Sequence, residues 1–288
     1  MKDAFRHWLR RTISPRLLNR VNHLSHLEDR LYDLEARRAQ LAEIVLRERY
    51  ASLFAHPAGD EFRVFSQNGE DGILLSLLQR VGAPGKRFVE IGVEHARECN
   101  CGVLGFVLGW NGRLVEANPL SAAAARRFAE RLLVGRANQV EIVETRASCA
   151  NINNLIGPQP LDVLSIDVDS IDYWLWEAVT ATPRVVIVEY NASFGLEPVI
   201  LPRDATPHGY YHGASLTALA RLGAGKGYSL VAVDSQGVNA FFVLDSVRPP
   251  SLAARQPEVL FRPHAMRCRV HSPEEQWAQV RGLPLERV

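Results

Sequence analysis

The stretch from Phe88 to Pro119, FVEIGVEHARECNCGVLGFVLGWNGRLVEANP, constrains the fold more than any other part of the chain. Phe88 to Ile91 is a short apolar run closed by Gly92. Leu114-Val115 is a second, closed by Glu116 and then by the turn signal Asn118-Pro119. Runs of this length between turn residues are expected as buried parallel strands. Glu116 ends the second run, where a carboxylate on the second strand of a doubly wound sheet meets ribose hydroxyls. The expectation is a nucleoside-containing cofactor.

Charge and glycine count narrow the cofactor. A dinucleotide site needs G-x-G-x-x-G so that backbone can approach a pyrophosphate. Here only Gly92 is present, and Glu94 and Ala96 stand where later glycines would fall. The turn also carries Glu90, Glu94 and Glu98. A carboxylate ~4 Å from a phosphate is repelled by about 1 to 4 kcal/mol at effective dielectrics between water and protein surface. S-adenosylmethionine has no phosphate and carries a sulfonium and an amino group, so an acidic turn attracts it. The alternative is an ordinary α/β unit with solvated glutamates.

The segments SQNGEDGIL (Ser66 to Leu74), FVEIGVEHARECN (Phe88 to Asn100), LVEANP, LSIDVDSIDYW (Leu164 to Trp174) and VVIVEYNASFG (Val185 to Gly195) are ordered and spaced in a familiar way. They resemble the FkbM-type members of the class I S-adenosylmethionine-dependent methyltransferases, over residues 62 to 244. The resemblance implies an S-adenosylmethionine cofactor with Glu90 and Gly92 facing its methionine moiety. It further implies Glu116 on the ribose diol, Thr145, Arg146 and Ala147 along the adenine edge, Asp167 among the cofactor contacts, and Ser66 and Gln67 closing over the methionine end. Ala96 departs from the family, which has glycine there.

The βαβα alternation from Phe62 onward predicts an α/β, doubly wound, Rossmann-like seven-stranded sheet with an antiparallel last strand. Strands are expected near 87–91, 113–116, 140–144, 162–167, 184–189, 228–233 and 239–244. Helices are expected near 69–81, 99–108, 120–133, 151–156, 172–180 and 214–225. The last two strands are joined by Asp234-Ser235-Gln236-Gly237-Val238, a hairpin-length connection. Residues 51–250 form the expected main domain and 251–288 a C-terminal extension with a helix near 273–281.

Residues 1–50 differ in character. Leu17, Leu24, Leu27, Leu31, Leu34, Leu41 and Val45 occupy a and d positions of one heptad frame, which predicts a long amphipathic helix. Either it forms a coiled-coil homo-oligomer or it packs on its own domain. Lys2, Arg6, Arg10, Arg11, Arg16 and Arg20 interleave with Phe5, Trp8, Leu9 and Ile13. Residues 1–20 are therefore either a peripheral contact with an anionic membrane or a solvated terminus.

With 47% hydrophobic and 23% charged residues the chain is expected to be soluble, and a net charge of +1 argues against a nucleic-acid partner. Cys99, Cys101, Cys149 and Cys268 provide no paired C-x-x-C, so neither a zinc site nor a disulfide framework is expected. A cytoplasmic location fits, and no secretory signal is expected.

Candidates for chemistry sit at strand ends. Asp167 and Asp169 close strand four; Glu189 and Asn191 close strand five. Converging oxygen ligands suit Mg2+. The pattern also resembles metal-dependent sugar O-methyltransferases, which implies that Asp167 binds metal and Asp169 takes the acceptor's proton. Such enzymes have two adjacent acids after strand five, whereas here Tyr190 follows Glu189, leaving Asn191 as the candidate replacement ligand. His208 and His212 are runner-up bases, because imidazole titrates near working pH. The long segment from Ala192 to Gly213 is a candidate lid, with Phe194, Tyr210 and Tyr211 offering faces to an acceptor. The expected function is O-methylation of a sugar or glycan hydroxyl. The alternatives are methylation of a lipid or secondary metabolite, and a non-catalytic scaffold of a glycan-processing complex.

Overall fold

The structure, a computed structural model, describes residues 61–133 and 139–288, together with scattered helical positions between 23 and 41. The seven-stranded sheet has the order β3-β2-β1-β4-β5-β8-β7. Its strands are β1 (Arg87–Ile91), β2 (Asn111–Glu116), β3 (Val140–Glu144), β4 (Val163–Ile166), β5 (Val185–Glu189), β7 (Tyr228–Val233) and β8 (Asn239–Leu244). β1 to β5 pair in parallel, and β8 runs antiparallel to both β5 and β7. Each expected strand is present, and the last two form the expected antiparallel pair.

Period-two alternation sorts the strand residues between two cores. Phe88, Leu114, Val163, Val185, Ile187, Phe241 and Val243 enter one; Val89, Ile91, Val115, Leu164, Ile166, Val186, Val188 and Phe242 enter the other. The first core is covered by α1 (Glu70–Val81) and α2 (Pro119–Leu132), the second by α3 (Ile152–Ile156), α4 (Asp172–Ala178) and α5 (Leu216–Gly225). Local chemistry starts these helices where the sequence indicates. Asn118 accepts hydrogen bonds from the Leu120 and Ser121 amides ahead of Pro119, and Ser215 accepts one from the Ala218 amide. In the second core Trp176 packs on Phe242 with ring centroids 4.7 Å apart.

The helix expected near 99–108 is instead a π-helical turn, Val103–Val107, in which the Leu108 amide donates to the Val103 carbonyl. The reason is close packing. A Cβ on Gly105 would lie 2.7 Å from Val140 Cγ2 and 2.9 Å from Phe88 Cζ, so the backbone itself lies against the sheet.

The segment between β5 and α5 carries β6 (Val199–Ile200), which pairs antiparallel with β9 (Glu286–Arg287). Residues 251–288 also contain α6 (Pro257–Leu260) and α7 (Pro273–Val280), the latter opened by a capping box between Ser272 and Glu275. A third cluster, Phe194, Val199, Leu201, Tyr211 and Val280, joins this extension to the segment after β5.

Between residues 23 and 41 the described positions are helical, and Leu24, Leu27, Leu31, Leu34 and Leu41 are exposed. The basic segment 1–20 and the expected heptad positions Leu17 and Val45 lie outside the described residues. Among those described, no helix is long and apolar enough to cross a membrane.

Candidate functional site

The carboxyl ends of β1, β2, β4 and β5 open onto a cavity of about 480 Å³ where strand order reverses between β1 and β4. Gln67, Gly92, Glu94, Glu98, Glu116, Thr145, Arg146, Ala147, Asp167, Asp169, Glu189, His264 and Arg267 contribute to its wall. The structure thus brings together Gln67, Gly92, Glu116, the Thr145-Arg146-Ala147 segment, both aspartates of strand four and Glu189.

Gly92 fixes the floor. It has φ +84°, and a Cβ there would fall 1.6 Å from the Asp167 carbonyl oxygen. No side chain fits, so the backbone just past β1 and β4 can lie in contact beneath the cavity only with glycine at this position. Beyond it, Glu94 and Ala96 adopt φ of 45° and 58°. Left-handed backbone of this kind costs about 1–2 kcal/mol for a residue with a Cβ. Glu116 stabilises the turn: its Oε2 accepts from the Glu94 amide at 2.8 Å and its Oε1 from the Asn118 amide at 2.7 Å.

Glu90 does not face the cavity. Strand alternation turns it to the side covered by the π-helical turn, where its oxygens accept from the Asn100 amide at 2.7 Å and the Cys101 amide at 2.8 Å. It is 1% exposed, and burial outweighs these amides to push its pKa up to about 7. The expected contact with a methionine moiety is therefore corrected to an anchor of the turn behind that position.

Ser66 is likewise withdrawn. It is fully buried, and its hydroxyl donates to Asp71 Oδ2, which also accepts from the Val64, Phe65 and Ser66 amides. Gln67, the next residue, reaches the cavity wall. Gly69 occupies the N-cap position of α1 with no side-chain cap, while the Glu70 carboxylate accepts from the Asn68 amide at 2.6 Å.

The acidic end of the cavity gathers four carboxylates. Asp172 is buried and accepts from the Val168 amide at 2.8 Å and the Ser170 amide at 3.0 Å, so it holds the loop that presents Asp169. Burial raises its pKa to about 6 against those two amides. Burial, and then the charges of Asp172 and Asp169, hold Asp167 well above the usual carboxylate range. Glu189 is raised for the same reasons, by burial first and then by Asp167, and is opposed by Arg267, whose Nη2 lies 3.8 Å from its Oε1. Asp169 is exposed, with a left-handed φ of 55°.

Asn191 is not available as a metal ligand. Its Nδ2 donates to the Tyr210 and His212 carbonyls at 2.7 and 2.8 Å, and its Oδ1 accepts from the Ser193 amide and Arg267 Nη1, both at 3.0 Å. The group within reach is His212, which with Asp169 and Glu189 offers ligand atoms all within 4.8 Å of one another. His212 is 5% exposed, and its Nδ1 has no hydrogen-bond partner among the described residues. Burial, followed by the charges of Arg267 and His264, pushes its pKa down to about 3. The ring is neutral near pH 7 but too weakly basic to act as a general base there, which corrects the base role expected for it.

His208 is exposed, bridged through its backbone to Tyr211 and outside the cavity wall. It supplies no base at the site. Phe194 and Tyr211 are buried in the third cluster, with Tyr211 donating to the Pro284 carbonyl, and Tyr210 bonds His271 Nδ1 at 2.8 Å. These aromatics pin the segment to the extension instead of facing an acceptor. Arg267, which carries a positive charge into the cavity, and His264, whose pKa burial pushes down, were not among the expected site residues.

No family model matches the chain, and no curated protein matches it. Among solved structures it is similar to an O-methyltransferase from Bacillus cereus in complex with SAH, at 20% identity and TM-score 0.41, over 72% of this chain and 88% of that one. The O-methyltransferase TomG from Streptomyces achromogenes, involved in tomaymycin synthesis and in complex with SAM, matches at 17% identity and TM-score 0.44, over 72% and 89%. The glycopeptide N-methyltransferase MtfA complexed with S-adenosyl-L-methionine matches at 12% identity and TM-score 0.38, over 56% and 82%. At these values the likeness carries no weight for fold or function. The class of the protein, a doubly wound Rossmann-like α/β fold with one reversed strand, follows from its own sheet order.

Proposed function

We propose that this chain is an S-adenosylmethionine-dependent methyltransferase acting on an oxygen of a small acceptor, with a sugar or glycan hydroxyl as the leading candidate. The observation that carries the reading is the cavity at the strand-order reversal, lined by Glu94, Glu98, Glu116, Asp167, Asp169 and Glu189 alongside Arg146 and Arg267, over the contact between Gly92 and the Asp167 carbonyl. The Glu94, Glu98, Glu116 and Asp169 carboxylates of that wall favour a cationic, phosphate-free nucleoside over a dinucleotide, while Asp167 and Glu189 hold their protons more tightly. Glu116 keeps lone pairs for a ribose diol besides the two that accept from the Glu94 and Asn118 amides.

In the reaction the acceptor oxygen forms a bond to the methyl carbon, the carbon–sulfur bond breaks, and its electron pair returns to sulfur, giving a neutral thioether. The acceptor loses its proton. Asp169, exposed at the cavity, is placed to receive it, and Asp167 lies beside it at the end of β4. A divalent cation would supply stabilisation of the developing alkoxide; buried His212, which has a ring nitrogen beside Asp169 and Glu189, fits such a group.

Calorimetry with S-adenosylmethionine and mass spectrometry of candidate glycans incubated with isotopically labelled donor test this reading. Binding that Glu116→Ala weakens, followed by label on an acceptor oxygen, supports it. Absence of donor binding rejects it and favours a scaffold.

A further inference from the structure

The carboxylates of Asp169 and Glu189 and a ring nitrogen of His212 come from three separate places: the loop after β4, the end of β5, and the segment leading into α5. Nothing in local sequence brings them together; the tertiary fold does. Their ligand atoms lie within 4.8 Å of one another, a span that small side-chain rotations close onto one ion. His212 points independently to a ligand, because its ring is 5% exposed and Nδ1 has no hydrogen-bond partner among the described residues. A buried ring nitrogen left unpaired is costly, and such a group calls for an explanation such as an ion.

We infer that Asp169, Glu189 and His212 form a binding site for one divalent transition-metal ion, of which Mn2+ is the representative. An all-oxygen set would suit Mg2+, whereas an imidazole shifts preference toward first-row transition metals. Asn191, fully engaged with the Tyr210 and His212 carbonyls, orients the His212 backbone and is a positioning residue. Bound through one oxygen, the Asp169 carboxylate would keep its second to receive a proton. The site deepens the proposed methyl transfer, but its binding of metal does not depend on that reaction.

The test uses the full chain without methyl donor. Mn2+ is titrated while its aqueous electron paramagnetic resonance signal is followed, and electron spin echo modulation of the bound ion is recorded for coupling to imidazole nitrogen. The expected result is loss of the aqueous signal at one ion per chain, with nitrogen coupling. Asp169→Asn, an exposed change, weakens Mn2+ on the order of 100-fold. His212→Gln removes the nitrogen coupling, and Mg2+ displaces Mn2+ only in roughly 100-fold excess.

No uptake of Mn2+, uptake without nitrogen coupling, unchanged affinity in Asp169→Asn, or equal displacement by Mg2+ each overturns the inference. Should His212→Gln fail to fold, the nitrogen coupling of the unaltered chain and Asp169→Asn still decide. Calorimetry with S-adenosylmethionine on the same preparation separates the two readings. Donor binding without Mn2+ uptake removes the metal site alone, and Mn2+ uptake without donor binding removes the methyl-transfer reading alone.

Discussion

Gly92 and Asp167 meet backbone to backbone: a Cβ on Gly92 would lie 1.6 Å from the Asp167 carbonyl oxygen. Neither partner can retreat, because the Asp167 amide donates to the Ile91 carbonyl at 2.9 Å and the Gly92 amide to the Val115 carbonyl at 2.9 Å. Gly92→Ala therefore forces the ends of β1 and β4 apart in addition to straining φ. The expected cost is about 3 kcal/mol or more, with loss of donor binding, measured by urea unfolding and calorimetry. A variant of full stability that still binds donor would show that this contact is not rigid.

Glu116 both shapes the turn and faces the cavity, and two substitutions separate these roles. Glu116→Gln keeps one acceptor for the Glu94 or Asn118 amide, whereas Glu116→Ala keeps none. Both are expected to weaken S-adenosylmethionine by about 1–3 kcal/mol, roughly 10- to 100-fold. Only Glu116→Ala should also lower the melting temperature. Unchanged donor affinity in both would remove Glu116 from the cofactor site.

Asp167→Asn and Asp169→Asn are expected to lower kcat by about 10²- to 10⁴-fold while leaving donor Kd within a small factor. Normal turnover in either rejects its role. A chelator added to unaltered protein should reproduce the loss only if an ion takes part in turnover.

Glu90 gives the stability a pH dependence whose sign is fixed. Its carboxyl is raised from 4.5 to about 7 in the folded protein, so between those values the native state holds a proton that the unfolded chain has released. Its contribution is fully present below pH 4.5 and is lost as pH rises through about 7, amounting to about 3 kcal/mol. Urea midpoints of the unaltered protein and Glu90→Gln across pH 4 to 8 should differ by that slope. Parallel profiles would show that Glu90 titrates normally.

Tyr211→Ala is expected to act on stability. The ring is 5% exposed among Phe194, Val199, Leu201 and Val280, and its hydroxyl donates to the Pro284 carbonyl. Truncation should cost about 3–5 kcal/mol and loosen the β6–β9 pairing, read by hydrogen exchange. A raised KM for the acceptor at unchanged stability would instead return this loop to the acceptor site.

The strands were legible because Phe88 to Ile91, Leu114-Val115 and Val185 to Val188 are apolar runs closed by turn residues or acids, a signal that needs no tertiary information. Gly92 and Glu116 were legible because they sit at the ends of those runs. Glu90 was misplaced by adjacency: one step along a strand reverses the side chain, and only the cover provided by Asn100 and Cys101 shows which face is buried. The exchange of Asn191 for His212 as a candidate ligand required knowing that Asn191 spends both ends of its amide on backbone and Arg267. His264 and Arg267 carried no local signal, since their positions depend on residues 251–288 folding back over the sheet.

That fold-back divides labour within the chain. Arg267 and His264 reach the cavity from a segment that contributes no strand to the seven-stranded sheet; its one strand, β9, pairs outside it with β6. Substitution of Arg267 or His264 changes the chemistry of the cavity from outside the parallel strands, whereas Leu252 in the first core and the Arg255 amide on the Leu230 carbonyl of β7 anchor the segment that carries them. Two side chains of this segment can thus be exchanged at the cavity while its anchoring residues keep it in place.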